Sequence, residues 1–285
     1  MIKKVVVAAA GQGTRMLHLT KNKSKHLIRV QEKPFLAYVL DNLLMAGYRE
    51  LILVVGYKEK LMKDFVKEYK SPMKIEKTID NNYVASLHNY FARSENESKL
   101  SFSSLARNYK ITLVSQYDIL GPKEKEYGTA CPVKCVKDIV ANENFLFVCG
   151  DNLYSVKDLK EMNVDDNYNY VAGLLHDHPE RYGVLITDDG FLKKIVEKPK
   201  EYVGNLINTG LYKFTPEVFE KISKIKKSPR GEYEITDAIT LLAEEKKVKV
   251  REIQDYWLDF GNPADIIKLS RFLKDANNKN SIKKF

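Results

Sequence analysis

A glycine-rich turn near the amino terminus carries the first residues that could do chemistry. A short apolar run ends in small residues and an arginine follows, in the order Ala8-Ala9-Ala10-Gly11-Gln12-Gly13-Thr14-Arg15. Glycines let a ligand approach the backbone, N–H groups can point at an anion, and a guanidinium matches two phosphate oxygens. The turn therefore indicates a phosphate-binding loop, although a plain strand-to-helix turn with a surface arginine has the same pattern.

Two common phosphate-binding motifs do not fit this turn. A P-loop needs the run G-x-x-x-x-G-K-[ST], which the chain lacks. A dinucleotide fingerprint needs a third glycine, where Met16 stands, and an acidic residue after the second strand, where the chain has Val55-Gly56-Tyr57. The turn alone thus leaves the class of nucleotide open.

The elements around the turn predict an α/β fold. Residues 3–10 and 50–56 are short apolar runs typical of buried strands, and residues 34–47 and 57–69 have the spacing of amphipathic helices. Such alternation is typical of the start of a doubly wound sheet. The same criteria predict strands at 110–116, 144–151, 170–175, 182–187, 192–198, 206–214 and 248–253, and helices at 235–247, with Thr236 as N-cap, and at 263–276.

Composition narrows the class of protein. The chain has 285 residues, 44% of them hydrophobic, and no run of 18 apolar residues, so we expect a sizeable core and no membrane partner. Its net charge is +9, but the lysines are spread over many helices, so we expect no nucleic-acid partner. Three cysteines are too few for a disulfide framework, which favours a cytoplasmic protein.

Two segments fit the α/β pattern poorly. Residues 71–109 are rich in serine and asparagine around a helical pattern at 83–93, and we expect an excursion inserted between a helix and the third strand. Residues 277–285 are polar and predict a frayed tail. We therefore expect one domain over residues 1–276, with this insertion and this tail.

Further pieces of the chain extend the turn into a longer signature. The run A-A-G-x-G-T-R-M is followed by L-T-K, by Lys25 and by P-F-L-x-Y-x-L. This order resembles the sugar-1-phosphate nucleotidyltransferases, or nucleotide-sugar pyrophosphorylases, over about residues 3–270, with 71–109 as the main gap. The later pieces follow in that family's order as Gln116 after a strand, Gly128-Thr129-Ala130, Phe147-Val148-Cys149-Gly150-Asp151, Tyr182-Gly183-Val184, Val196-Glu197-Lys198-Pro199, Asn208-Thr209-Gly210-Leu211-Tyr212, Arg230-Gly231-Glu232-Tyr233-Glu234-Ile235-Thr236-Asp237 and Trp257-Leu258-Asp259-Phe260-Gly261.

The resemblance implies the attack of a sugar 1-phosphate oxygen on the α-phosphorus of a nucleoside triphosphate, with pyrophosphate leaving. Two polyanions must be brought together, so cations and positioning matter more than a covalent nucleophile. The resemblance implies that Arg15 and Lys25 are catalytic and hold the triphosphate. It implies Mg²⁺ as cofactor on Asp151 and Asp259, since Mg²⁺ takes one or two carboxylates plus substrate phosphates.

The resemblance also implies binding residues for both substrates. Gln116 can donate and accept hydrogen bonds, so it can bind the imide edge of a pyrimidine, and Lys198 would hold the phosphate of the sugar. The nucleotide-binding residues implied are Ala8, Ala9, Ala10, Gly11, Gly13, Thr14, Gln116, Gly128 and Thr129. The sugar-phosphate-binding residues implied are Gly183, Glu197, Lys198, Asn208 and Tyr212.

We therefore expect transfer of a nucleotidyl group from UTP, or from dTTP, to a hexose 1-phosphate, with glucose 1-phosphate as the expected sugar. The expected fold is an α/β, Rossmann-like three-layer domain with a mixed, mostly parallel central sheet and a smaller β-rich part for the sugar. The resemblance also implies a homo-oligomer. A non-catalytic paralogue that binds nucleotide sugars and an NAD-dependent oxidoreductase stay open as alternatives. The chain departs from the family at Ser24-Lys25-His26-Leu27-Ile28-Arg29-Val30 and at Asn152, where a second acid is common.

Overall fold

A ten-stranded mixed sheet forms the centre of the molecule. The computed structural model describes residues 1–11, 13–56, 58–71, 77–80 and 109–282. Its strands are β1 (Lys4–Ala9), β2 (Arg29–Val30), β3 (Lys33–Pro34), β4 (Glu50–Val55), β5 (Lys77–Asp80), β6 (Tyr109–Ser115), β7 (Phe145–Cys149), β8 (Asn152–Tyr154), β9 (Asn169–Leu175), β10 (Gly183–Asp188), β11 (Phe191–Glu197), β12 (Leu206–Phe214), β13 (Val248–Glu252) and β14 (Trp257–Asp259). Its α-helices are α1 (Phe35–Met45), α2 (Glu59–Glu68), α3 (Gln116–Leu120), α4 (Cys131–Lys134), α5 (Lys137–Val140), α6 (Val156–Glu161), α7 (Glu217–Lys224), α8 (Ile235–Glu244) and α9 (Pro263–Ile282).

The strand order of the main sheet is β10-β11-β13-β9-β12-β7-β1-β4-β6-β5. Each strand is parallel to the next in the series β7, β1, β4, β6 and β5. Strands β11 and β12 are antiparallel to the strands on either side of them. The mixed, mostly parallel sheet that the sequence predicted is thus confirmed. Two short antiparallel pairs, β2–β3 and β8–β14, lie outside it.

Helices cover both faces of the sheet, as the alternation of side chains along β1 shows. Val5, Val7 and Ala9 are buried in a core cluster that includes residues of α1 and α2, while Val6 is buried in a second cluster with residues of α7 and α8. Successive side chains of a strand point to opposite faces, so these two clusters are the two sides of one sheet. The three-layer α/β fold is therefore confirmed.

Helix α8 begins differently from the prediction. It begins at Ile235, so Thr236 lies inside the helix and is not its N-cap. The Ile235 N–H instead donates to Oγ1 of Thr129, at 2.9 Å, from a loop more than a hundred residues earlier. The prediction of Thr236 was wrong because the oxygen that satisfies this free N–H comes from another part of the chain.

The two segments that fitted the pattern poorly have different outcomes. Most of residues 71–109, including the helical pattern at 83–93, lie outside the described residues. The described part of this segment contains β5, which pairs with β6 at the edge of the sheet. Helix α9 continues to Ile282 rather than ending at 276, since no glycine or proline follows Pro263 to end it. Among the described residues, no helix is long and apolar enough to cross a membrane.

Candidate active site

A cavity of about 270 Å³ opens at the carboxyl ends of the parallel strands. Gly11, Gln116 and Asp151 follow β1, β6 and β7, and all three line this cavity. Neighbouring parallel strands direct the residues that follow them to the same edge, which is where α/β sheets usually bind ligands. The lining residues are Ala8, Ala10, Gly11, Arg15, Lys25, His26, Gln116, Tyr127, Gly128, Thr129, Pro132, Phe147, Cys149, Asp151 and Glu232.

The glycines of the first loop make room for Lys25. A Cβ on Gly13 would lie only 2.8 Å from Cβ of Lys25, and one on Gly11 would lie 3.7 Å from its Cε. Gly13 also has a φ of +67°, which few other residues adopt at low cost. The loop can therefore pack against the side chain of Lys25, which is only 9% exposed.

Lys25 forms an ion pair across the cavity wall with Asp151. The Lys25 ammonium donates to Oδ2 of Asp151, while Nδ2 of Asn152 donates to Oδ1 at 3.2 Å. Burial raises the pKa of Asp151, but the positive charge of Lys25 and the hydrogen bonds to the carboxylate together outweigh burial, so the pKa lies below its usual value. Asp151 is therefore an ionised carboxylate with both oxygens oriented.

A second carboxylate lies beside the first. Strand β14 pairs with β8, which places Asp259 opposite Asn152, and the N–H of Phe260 donates to the backbone oxygen of Asp151 at 2.8 Å. Burial, and then the negative charge of Asp151, raise the pKa of Asp259 to about 6. Two carboxylates that repel each other in this way are a fitting pair of oxygen ligands for a divalent cation.

Arg15 approaches Asp259 from the first loop. It lies in a 3₁₀ helix over Thr14–Thr20 and is exposed. A Cβ on Gly261 would lie 3.6 Å from Cζ of Arg15 and 3.2 Å from Oδ2 of Asp259. The guanidinium therefore lies close to the carboxylate, with the small Gly261 leaving space beside both.

The wall of the cavity also contains a buried amide. Gln116 is the first residue of α3, is only 1% exposed and lines the cavity. Its Oε1 has no hydrogen-bond partner among the described residues. Buried polar atoms are normally paired, so this oxygen is an unsatisfied acceptor within the wall of the cavity.

The loop at Gly128 and Thr129 is fixed by Tyr233. Tyr233 N donates to the Tyr127 oxygen at 2.8 Å, and Ala130 N donates to the Tyr233 oxygen at 2.9 Å. Gly128 has a φ of +135°, and a Cβ there would overlap the backbone of Tyr233. The glycine is therefore required by this packing, and the Thr129 hydroxyl is already bonded to α8.

Gly128→Ala is expected to destabilise the fold by about 2–4 kcal/mol, since it combines an unfavourable φ with a backbone overlap. Gly47→Ala is the matched control, because Gly47 also has a positive φ, +104°, but a Cβ there would meet nothing within 4 Å. We expect the control to cost about 1 kcal/mol. Denaturant unfolding of both variants tests this, and equal losses would contradict it.

Four of the predicted sugar-binding residues lie together. Gly183 lies opposite Glu197 in the β10–β11 pair. A Cβ on Gly183 would lie 3.0 Å from Oε2 of Glu197 and 3.8 Å from Cβ of Asn208, so these three residues are close together. Nδ2 of Asn208 donates to the Tyr212 hydroxyl at 2.8 Å. The Tyr212 ring stacks on Phe147, which lines the cavity, with centroids 5.8 Å apart. This cluster therefore adjoins the cavity.

Lys198 directly follows Glu197, the last residue of β11. Its φ of +43° is unusual for a residue other than glycine, and its N–H donates to the Tyr182 oxygen at 3.0 Å. The Tyr182 ring packs edge-on against the ring of Trp257, with the centroids 5.6 Å apart. Trp257 lies two residues before Asp259. Strained backbone of this kind is found mainly where the surroundings fix a functional side chain.

Comparison with known proteins identifies the family of the chain. Residues 4–276 match the nucleotidyl transferase family. The chain belongs to this family.

Relatives within the nucleotidyl transferase family differ in length. The UTP–glucose-1-phosphate uridylyltransferase AglF of Haloferax volcanii is 31% identical over 270 residues, covering 92% of this chain and 93% of that protein. A bifunctional sugar-1-phosphate nucleotidylyltransferase/acetyltransferase of Sulfurisphaera tokodaii is 30% identical over 273 residues, which cover 95% of this chain but only 56% of that protein. A UDP-glucose pyrophosphorylase solved with UDP-glucose shares the fold, with a TM-score of 0.72 at 21% identity over 97% of this chain and all of that one.

The predicted nucleotide-binding residues Ala9 and Thr14 are not among the described residues that line the cavity. Ala9 is fully buried in the core on the face opposite Ala8, and the side chain of Thr14 lies outside the described part. Sequence reasoning assigned no role to several lining residues. Two of them, Phe147 and Cys149, could have been found from the alternation along β7. The others missed are His26, Tyr127, Pro132 and Glu232.

Proposed function

We propose that this protein transfers a nucleotidyl group from UTP or dTTP to a hexose 1-phosphate, with glucose 1-phosphate as the expected acceptor. One observation carries the proposal. Arg15, Lys25, Asp151 and Asp259 come from three distant parts of the chain and meet beside one cavity. The name of the Haloferax volcanii relative supports UTP and glucose 1-phosphate as the pair. Membership of the nucleotidyl transferase family argues against an oxidoreductase.

The chemistry needs charge and position. A phosphate oxygen of the sugar 1-phosphate forms a bond to the α-phosphorus of the triphosphate. The bond from that phosphorus to the oxygen bridging to the β-phosphate breaks, and pyrophosphate leaves with the oxygen and its electron pair. Arg15 and Lys25 would stabilise the negative charge that grows on the leaving group.

Asp151 and Asp259 would hold Mg²⁺. The fit rests on the chemistry and placement of the two carboxylates, since Asp259 lies opposite Asn152 and beside Asp151, and a divalent cation would offset the repulsion between them. Phosphate oxygens and water would complete the shell of such a metal. When bound, Mg²⁺ would neutralise phosphate charge and orient the triphosphate.

The two ends of the site support the choice of substrates. Gln116 lines the cavity, and its amide can both donate and accept hydrogen bonds, which suits the imide edge that uracil and thymine have and cytosine lacks. Glu197 and Asn208 offer oxygens to sugar hydroxyls, and the exposed Lys198 offers an ammonium to the sugar phosphate. These contacts are proposals that rest on the observed placement of the side chains.

A panel of substrates tests the proposal directly. Purified protein with Mg²⁺, UTP and glucose 1-phosphate is expected to release pyrophosphate, and dTTP and other hexose 1-phosphates identify the preferred pair. No release from any pair would contradict the proposal. Binding of UDP-glucose without release would instead favour a non-catalytic protein that binds nucleotide sugars.

Mg²⁺ affinity is expected to depend on pH in a defined direction. The pKa of Asp259 is about 6, so a proton competes with the metal below that pH and not above it. We expect the apparent Kd for Mg²⁺ to rise about tenfold per pH unit below about 6 and to be flat above 7. Calorimetric titration at several pH values measures this, and Asp259→Asn should remove the dependence. A Kd that is constant down to pH 5 would contradict the assignment.

A further inference from the structure

His26 occupies an unusual position in the cavity wall. It follows Lys25 directly, lines the cavity and is only 1% exposed as a residue. The hydroxyl of Ser24, which has no exposed surface, lies 3.1 Å from Nδ1 of His26. The ring is therefore held at one nitrogen by a buried serine.

The Ser24 contact fixes which ring nitrogen carries the proton. If Nδ1 donated to Ser24, the serine hydroxyl proton would be buried with no acceptor among the described residues. An unsatisfied buried donor is costly, so the favoured arrangement has the Ser24 hydroxyl donating to Nδ1. The proton of the neutral ring then lies on Nε2.

The Nε2 atom remains available to a ligand. No described residue forms a hydrogen bond with Nε2. In the described part, the side-chain polar atoms that have neither a partner nor exposed surface are Tyr109 Oη, Gln116 Oε1, Asn152 Oδ1, Glu217 Oε2 and Trp257 Nε1. Nε2 of His26 is not one of these atoms. His26 thus presents an N–H donor to the cavity.

We propose that His26 binds the nucleoside triphosphate by donating its Nε2–H to a phosphate oxygen, and that Ser24 is the positioning residue that fixes this tautomer. The inference rests on the proposed function, since it needs a triphosphate in this cavity. Lys25 and Asp151 adjoin His26, whereas Gln116 and Gly128 form the end that would hold the base. In this tautomer Nε2 has no free lone pair, so His26 is a phosphate donor and not a metal ligand.

Two variants of matched size separate this role from a packing role. The amide nitrogen of glutamine reaches the position of Nε2, whereas that of asparagine reaches only the position of Nδ1. His26→Asn is expected to weaken binding of Mg²⁺–UTP by roughly ten- to hundredfold, the range for a lost hydrogen bond to a charged group, while His26→Gln stays within about threefold. Inorganic tripolyphosphate should show the same ratio, because the contact is to phosphate.

The tautomer itself can be measured on the wild-type protein, which keeps the inference testable if a variant does not fold. Nitrogen-15 spectra are expected to show His26 protonated on Nε2, with that signal shifting when Mg²⁺–UTP is added, and Ser24→Ala should give a mixture of tautomers. A proton on Nδ1, or equal affinities for the wild type and His26→Asn, would overturn the inference alone. A wild-type protein that binds no triphosphate would overturn the proposed function as well.

Discussion

Lys25→Met is expected to lower kcat for pyrophosphate release by about 10²–10³-fold, the usual effect of removing one group that stabilises transition-state charge. Methionine preserves most of the volume of the side chain between Gly11, Gly13 and the cavity, so the loss reports the missing charge. Because the proposed role of Lys25 is to stabilise charge that grows as pyrophosphate leaves, we expect kcat to fall more than KM for UTP rises. Steady-state kinetics with both substrates varied measures the split.

The neighbouring Lys23 supplies the control for this prediction. Lys23 is exposed and lies two residues before Lys25, so Lys23→Met removes the same charge from the same loop. We expect its kcat to stay within about twofold of the wild type, because exposed charges act weakly through solvent. A Lys25→Met protein that is folded and nearly fully active would show that Lys25 only stabilises Asp151.

The elements that position Lys25 were predictable, because their signals are local. The apolar run of β1, the glycine turn and the buried strand β7 follow from short sequence patterns, and parallel pairing then brings the residues after β1 and β7 together. The positions of Gly11 and Asp151 in one cavity follow from that topology. The roles of these residues in catalysis stay predictions, since geometry alone does not test them.

Other features depend on contacts between distant segments, for which the sequence has no local signal. Thr129 satisfies the first N–H of α8, and Gly128 packs on the backbone of Tyr233. The family resemblance implied that Gly128 and Gly13 bind the nucleotide. In the structure each glycine first makes room for another part of the protein, Tyr233 in one case and Lys25 in the other.

Asp151→Asn is expected to lower kcat on the order of 10³-fold, because a metal ligand supplies several kcal/mol of charge stabilisation. The amide keeps the shape of the carboxylate but loses the charge that pairs with Lys25. We therefore also expect weaker Mg²⁺ binding, measured by calorimetry. Asp255→Asn is the control, since Asp255 is an exposed acid of the loop before β14 and its loss should leave kcat within about twofold.

Stability measurements then separate the pairing of Asp151 from its role in the reaction. Each single variant, Lys25→Met or Asp151→Asn, leaves one largely buried charge without its partner and should cost about 3 kcal/mol in unfolding free energy. The double variant has neither charge, so we expect it to be more stable than either single variant. Its kcat should nevertheless be no higher than that of the less active single variant. Recovery of activity along with stability would mean that the pair serves only the fold, and that the catalytic cation and the metal ligand must be sought elsewhere.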